Sequence, residues 1–160
     1  MLIAAHFLVG ATIATHMPEA VPAALGALAS HFVLDAIPHK DYIGKPILNR
    51  PNVIFALVDT AVALGLFFLL VEPRYYLYAF TISLVAVLPD LVTLPKFFWP
   101  KWEQLPIIKP LLRWHGTILQ LQREPKFIKK DSRADWIWGL APQVIIILVL
   151  FFHLGTIPYF

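Results

Sequence analysis

The chain has 160 residues, enough for one domain, and 59% of them are hydrophobic while only 14% are charged, against about a quarter charged in a soluble domain. That balance excludes an ordinary soluble globule and reads as an integral membrane protein. With no cysteine in the chain, disulfides and thiolate metal sites are excluded, and any metal must sit on His, Asp or Glu. The net charge of +3 is spread unevenly, so it is read as membrane topology and not as nucleic-acid binding.

Five apolar segments of helical length follow one another: 1–16, 19–37, 52–71, 74–94 and 135–154. The expected architecture is all-α, a single membrane domain over 1–160 built as a helical bundle. The last three segments approach the ~20 residues that cross a bilayer core. The first two are shorter and fit a tilted hairpin crossing a thinned bilayer, or a partly re-entrant pair. The first segment lacks the charged start and cleavage site of a signal peptide and is expected to be retained. Pro18 and Pro38 end the first two segments, because the residue before a proline avoids the α region. "VEPR", Val71 to Arg74, is a tight turn between the third and fourth. On the second segment Ala20 and Ala24, Ala23 and Ala27, and Gly26 and Ser30 recur four apart, a pattern for close helix packing. Residues 95–134 mix prolines, aromatics and basic groups, with an amphipathic helix expected over 111–122. Such a segment should lie on the membrane surface, with Trp99, Trp102 and Trp114 at headgroup level.

If all five segments span, every Lys and Arg except Arg74 falls on one side, together with the N-terminus. The positive-inside rule makes that side cytoplasmic. The expected location is a bacterial or archaeal cytoplasmic membrane, with the N-terminus and the basic loops inside. The same topology gathers the scarce polar groups. His6, His31, Asp35, Asp59, Asp90 and His115 all fall near the cytoplasmic side, with Asp59 about 10 Å into its helix at 1.5 Å per residue.

"SHFVLDAIPHKD" concentrates this chemistry. His31 and Asp35 are four apart and share a helix face, so an imidazole nitrogen and a carboxylate oxygen can grip one ion. Further ligands must come from other helices, with His6, Asp59, Asp90, His115 and His39 as candidates for one or two divalent ions, zinc first. The bland alternatives are a hydrogen-bonded pair for His31 and Asp35, a packing histidine for His6, and a helix kink with a local cap for Asp90 after Pro89. Asp59 could instead bond backbone or orient a ligand. Ionisable groups in a membrane are costly and usually functional, which favours the metal reading. No nucleophile elbow or phosphate loop is present, so a metal-activated water is the natural nucleophile. Asp59 or Asp90 could take its proton, and His39, Lys40 and Arg113 could contact an anionic substrate.

At "HFVLDAIPH" and "VLPDL" the chain resembles the membrane-bound metal-dependent hydrolases of the LexA-binding, inner-membrane-associated type. The shared elements are His6 with Gly10, Asp90 in "LPDL", and His31 with Asp35 in "SHFVLD". The order of the last two is reversed relative to that family, and "WHGTILQ" around His115 matches a further motif only in part. The resemblance implies a zinc phospholipase C-like helical ligand set of His6, His31, Asp35 and Asp90.

The function expected from these features is metal-dependent hydrolysis of a phosphoester or similar bond, on a lipid or membrane-proximal substrate. Two other classes compete with it. One is a non-catalytic adaptor whose basic segment binds acidic lipid or a protein partner. The other is an ion- or proton-coupled transporter, which would need polar residues continuing across the membrane.

Overall fold

The structure is a computed structural model that describes residues 2–37, 39, 50–119 and 133–156. All of its regular structure is helical: α1 (Ile3–His16), α2 (Ala20–Asp35), α3 (Arg50–Leu70), α4 (Tyr76–Thr93), α5 (Ile108–Leu119) and α6 (Arg133–Thr156), with short 3-10 turns at Pro73–Tyr75, Leu94–Phe97 and Pro100–Gln104. Each expected apolar segment is a helix, with ends that differ from the expectation by a few residues. The amphipathic helix begins at Ile108 rather than at residue 111, and residues 120–122 lie outside the described residues.

Three stretches are long and apolar enough to cross a membrane: Asn52–Leu70, Pro73–Thr93 and Gly139–Thr156. α1 and α2 are apolar but have only 14 and 16 residues. At 1.5 Å per residue these reach about 21 and 24 Å, short of a ~30 Å hydrocarbon core. α1 is instead the most enclosed helix. Ala4, Ala5, His6, Phe7, Leu8, Gly10, Ala11, Ala14 and Thr15 are all buried. It packs most extensively on α4, then on α3, α2 and α6.

Small side chains are the reason α1 fits there. Gly10 lies so close to α4 that an added Cβ would stand 2.6 Å from the Ser83 Cα. α4 turns Ala79, Ile82, Ser83, Ala86 and Val87 inward, positions that recur every three or four residues along one face. α2 turns Ala23, Ala27, His31, Leu34 and Asp35 inward in the same way. The small pair Ala23 and Ala27 therefore packs in the core, whereas Ala20 is exposed. The rings of Phe7, Phe67 and Phe80 meet edge to face, with centroids 5.5 to 5.8 Å apart, and fill the seam of α1, α3 and α4.

The helices alternate in direction. The starts of α1, α3 and α6 and the ends of α2 and α4 lie at one end of the bundle. At the other end the His16 and His153 rings stack at 4.9 Å, and the Tyr78 hydroxyl donates to the Met17 carbonyl at 2.6 Å, holding the last turn of α1 to the start of α4. Tyr78→Phe removes that bond with little change of shape. It is expected to lower stability by about 1 kcal/mol, read as an earlier thermal unfolding midpoint in detergent.

Beyond α4 the chain folds back on itself. The Trp102 indole N–H donates to the Val92 carbonyl at 2.8 Å, and α5 touches both α2 and α4. Phe98 and Trp99 remain exposed here, as do Ile107, Leu111, Lys109 and Arg113. Exposed apolar and basic groups on an amphipathic helix and the turns before it suit a membrane interface.

Candidate metal centre

His6, His31, Asp35 and Asp90 meet where α1, α2 and α4 come together. The local spacing makes half of the site: His31 and Asp35 are one turn apart on α2, and His31 Nε2 lies 3.1 Å from Asp35 Oδ2. The other carboxylate oxygen, Oδ1, lies 3.3 Å from His6 Nε2 on α1. Asp90 on α4 closes the group, with Oδ1 3.8 Å from His31 Nε2. The two imidazoles stack with centroids 4.2 Å apart.

Orientation within the site is specific. His31 Nδ1 lies 2.8 Å from the Ala86 carbonyl oxygen, which can only accept, so this nitrogen carries the proton and donates. Nε2 is therefore the nitrogen left to face the acids. A ligating histidine almost always anchors its far nitrogen in this way. Pro89 sits in the same stretch of α4. It lacks an N–H and its ring presses on the Val85 carbonyl, which loosens the helix ladder near the turn that receives His31.

Burial is graded across the site. His6, His31 and Asp35 are at most 1% exposed, while the Asp90 side chain is 30% exposed and forms the rim. His6 Nδ1 has no hydrogen-bond partner, while Nε2 faces Asp35 Oδ1 at 3.3 Å. An imidazole always carries at least one N–H or lone pair in need of a partner, and leaving such groups unmet in a protein interior costs about 1–3 kcal/mol.

His6, His31 and Asp90 could hold a divalent cation. One ligand atom each from His6, His31 and Asp90 lie within 4.8 Å of one another. Two imidazoles and two carboxylates form a nitrogen and oxygen set that suits zinc or a harder divalent ion. Two carboxylate charges also balance one divalent charge, so the loaded site would bury little net charge.

The other candidates fall elsewhere. Asp59 on α3 accepts hydrogen bonds from the backbone N–H groups of Ile3 (2.6 Å) and Ala4 (3.3 Å), so its oxygens serve the start of α1 and not the cluster. His39 is buried with Nδ1 2.8 Å from the Ile37 carbonyl, a local turn contact. Arg113 is exposed on α5. His115 lies on the same helix, but its side chain, like Lys40, is outside the described residues.

One polar residue escaped the sequence analysis. Gln143 on α6 is fully buried, and its Oε1 accepts the Leu2 N–H at 2.6 Å while its Nε2 donates to the Gly139 carbonyl at 2.6 Å. The available signal was an uncharged amide at the head of the apolar run "QVIIILVLFF". No family model matches the chain, and neither the curated proteins nor the solved structures provide a match.

Proposed function

We propose that this protein is a membrane-embedded, divalent-cation-dependent hydrolase of phosphoester or similar bonds, with its centre at His6, His31, Asp35 and Asp90. The observation that carries the reading is the meeting of two imidazoles and two carboxylates from three helices in an apolar bundle, with His6 Nδ1 left without a hydrogen bond. The four residues on which the resemblance to membrane-bound metal-dependent hydrolases rests are the four that come together.

A bound divalent ion would supply Lewis acidity toward a phosphoryl oxygen and lower the pKa of a coordinated water. The protein residues divide the remaining tasks. His6 and His31 present nitrogens from within the bundle, and Asp35 holds both rings. Asp90, the most exposed of the four, is the group placed to take a proton from water and is preferred to Asp59 for that role. Arg113 on α5, a helix in contact with α2 and α4, is available to steady an anionic headgroup. The preponderance of basic residues at this end favours a cytoplasmic orientation.

A transport path is less well supported. Among the described residues the core beyond the cluster is built mainly of Ala63, Phe67, Ala79, Ile82 and Val71 with the Phe7, Phe67 and Phe80 rings, with the buried hydroxyls of Ser83 and Thr15 and no buried charged group among them. The adaptor reading gives the buried cluster no task.

The decisive experiment is to reconstitute the purified protein with zinc or manganese and screen chromogenic phosphomonoesters, phosphodiesters and short-chain phospholipids. Turnover that needs the metal and falls at least about a hundredfold in Asp90→Ala supports the proposal. Stoichiometric metal without turnover on any of these classes would reduce the protein to a metal-binding one. Metal affinity should also fall on acidification, because a proton competes for each ligating imidazole nitrogen. The expected slope approaches about tenfold per pH unit for each histidine that must lose a proton. Competition titrations against a chelator between pH 7.5 and 5.5 measure it, and a flat profile would rule out ligation by any histidine that is protonated in the metal-free protein over that range.

A further inference from the structure

The start of α1 is held by other helices. A helix leaves its first N–H groups without intrahelical partners, and a side chain at its own N-cap normally meets them. Leu2 occupies the N-cap of α1 and has no side chain to offer. Three successive amides are met from outside instead: Leu2 by Gln143 of α6, and Ile3 and Ala4 by Asp59 of α3. His6 lies within one turn of these amides and is fully buried. Its height and rotation relative to Asp35 therefore depend on where the clamp holds the start of α1.

There is an electrostatic side to the same contact. The N-terminus of a helix carries roughly half a positive charge, an unfavourable neighbour for a cation site one turn away. The Asp59 carboxylate on the Ile3 and Ala4 amides opposes that charge, which a neutral cap such as Gln143 does only weakly.

We infer that Asp59 and Gln143 are positioning residues for the metal centre: they seat His6 against Asp35, and Asp59 also offsets the positive end of α1 beside the cation. This inference rests on the metal-binding reading of the cluster. It assigns Asp59, the acid of α3, a role other than proton transfer, and gives Gln143 a role in the site through the Leu2 amide.

The test uses the full chain in detergent. Zinc affinity is measured by competition with a fluorescent chelator, the Co(II)-substituted protein supplies an absorption spectrum that reports ligand geometry, and thermal unfolding of the metal-free protein reports stability. Asp59→Asn keeps one oxygen for one of the two amides, leaves the other facing an NH2 and removes the charge, and the unfolding measurement reports what this costs the fold. Gln143→Ala removes the other half of the clamp. Both are expected to weaken zinc binding by about tenfold or more, the scale seen when groups that orient metal ligands are lost. Asp59→Asn is also expected to shift the Co(II) bands. Tyr78→Phe, at the far end of α1, serves as the control that loses stability and leaves zinc affinity unchanged. Wild-type affinity and spectrum in both Asp59→Asn and Gln143→Ala would overturn the inference, as would a loss of affinity equal to that of Tyr78→Phe at equal loss of stability. A wild-type protein that binds no zinc would instead remove the metal reading on which the inference stands.

Discussion

Asp35→Ala is expected to abolish stoichiometric zinc binding, measured by inductively coupled plasma mass spectrometry on the detergent-purified protein after zinc addition and desalting. Asp35 is the hub of the cluster: one oxygen faces His6 at 3.3 Å, the other faces His31 at 3.1 Å, and the side chain is 1% exposed. Its removal takes away a candidate ligand and the group that sets the facing of both rings. Removing one partner from a buried charged pair costs about 3–5 kcal/mol, which corresponds to a loss of affinity of more than about a hundredfold if it falls on the bound state. His31→Ala is expected to match it, because His31 contributes Nε2 from a ring already oriented by the Ala86 carbonyl. Asp90→Ala should retain weaker binding, since solvent reaches the rim and water can stand in for its oxygen. Thermal unfolding of each metal-free variant separates loss of a ligand from loss of the fold. A wild-type protein that stays metal-free in excess zinc would sink the metal reading and leave the cluster as a structural polar network.

Gly10→Val is expected to destabilise the bundle by about 3 kcal/mol, at or beyond the upper end of ordinary overpacking. The obstacle is backbone. A Cβ at Gly10 stands 2.6 Å from the Ser83 Cα, 3.0 Å from the Ala86 Cβ and 3.1 Å from the Ile82 carbonyl oxygen. None of these can swing aside as a side-chain tip would, so α1 and α4 must separate. The consequence reaches the site, because the Ala86 turn that Gly10 abuts is the one that anchors His31. Zinc affinity is therefore expected to fall together with the unfolding midpoint. Gly65→Ala provides the contrast. A Cβ there meets nothing within 4 Å, and alanine is the better helix former by about 1 kcal/mol, so that variant should be neutral or slightly more stable. Equal midpoints for the two variants would show that the α1 and α4 contact is not as close as described.

These expectations separate what was legible in the chain from what was not. The apolar segments and the prolines that end them mark the helices, because hydrophobic length and the steric demands of proline act locally. The pairing of His31 with Asp35 was equally legible, since residues four apart on a helix are neighbours whatever surrounds them. The gathering of His6, His31, Asp35, Asp59 and Asp90 at one end followed from alternating helix direction alone. Alternation assigns a depth but not a facing.

Facing was decided by tertiary contact. His6 meets Asp35 because α1 and α4 approach closely at Gly10, which fixes how α1 is rotated, and the spacing of residues along α1 carries no such information. Asp59 read from the chain as a candidate base and lies at the expected end, yet its oxygens go to the amides of Ile3 and Ala4. Which acid faces an ion and which caps a helix depends on rotations of a few tens of degrees about helix axes. Gln143 went unnoticed for the same reason: its partner, the Leu2 amide, is brought to it only by the packing of the first helix against the last. The sequence by itself determined which residues form helices, at which end the polar groups lie, and that His31 and Asp35 are neighbours on one helix face. The tertiary structure alone decided which of those groups share a site, because that depends on contacts between helices distant in the chain.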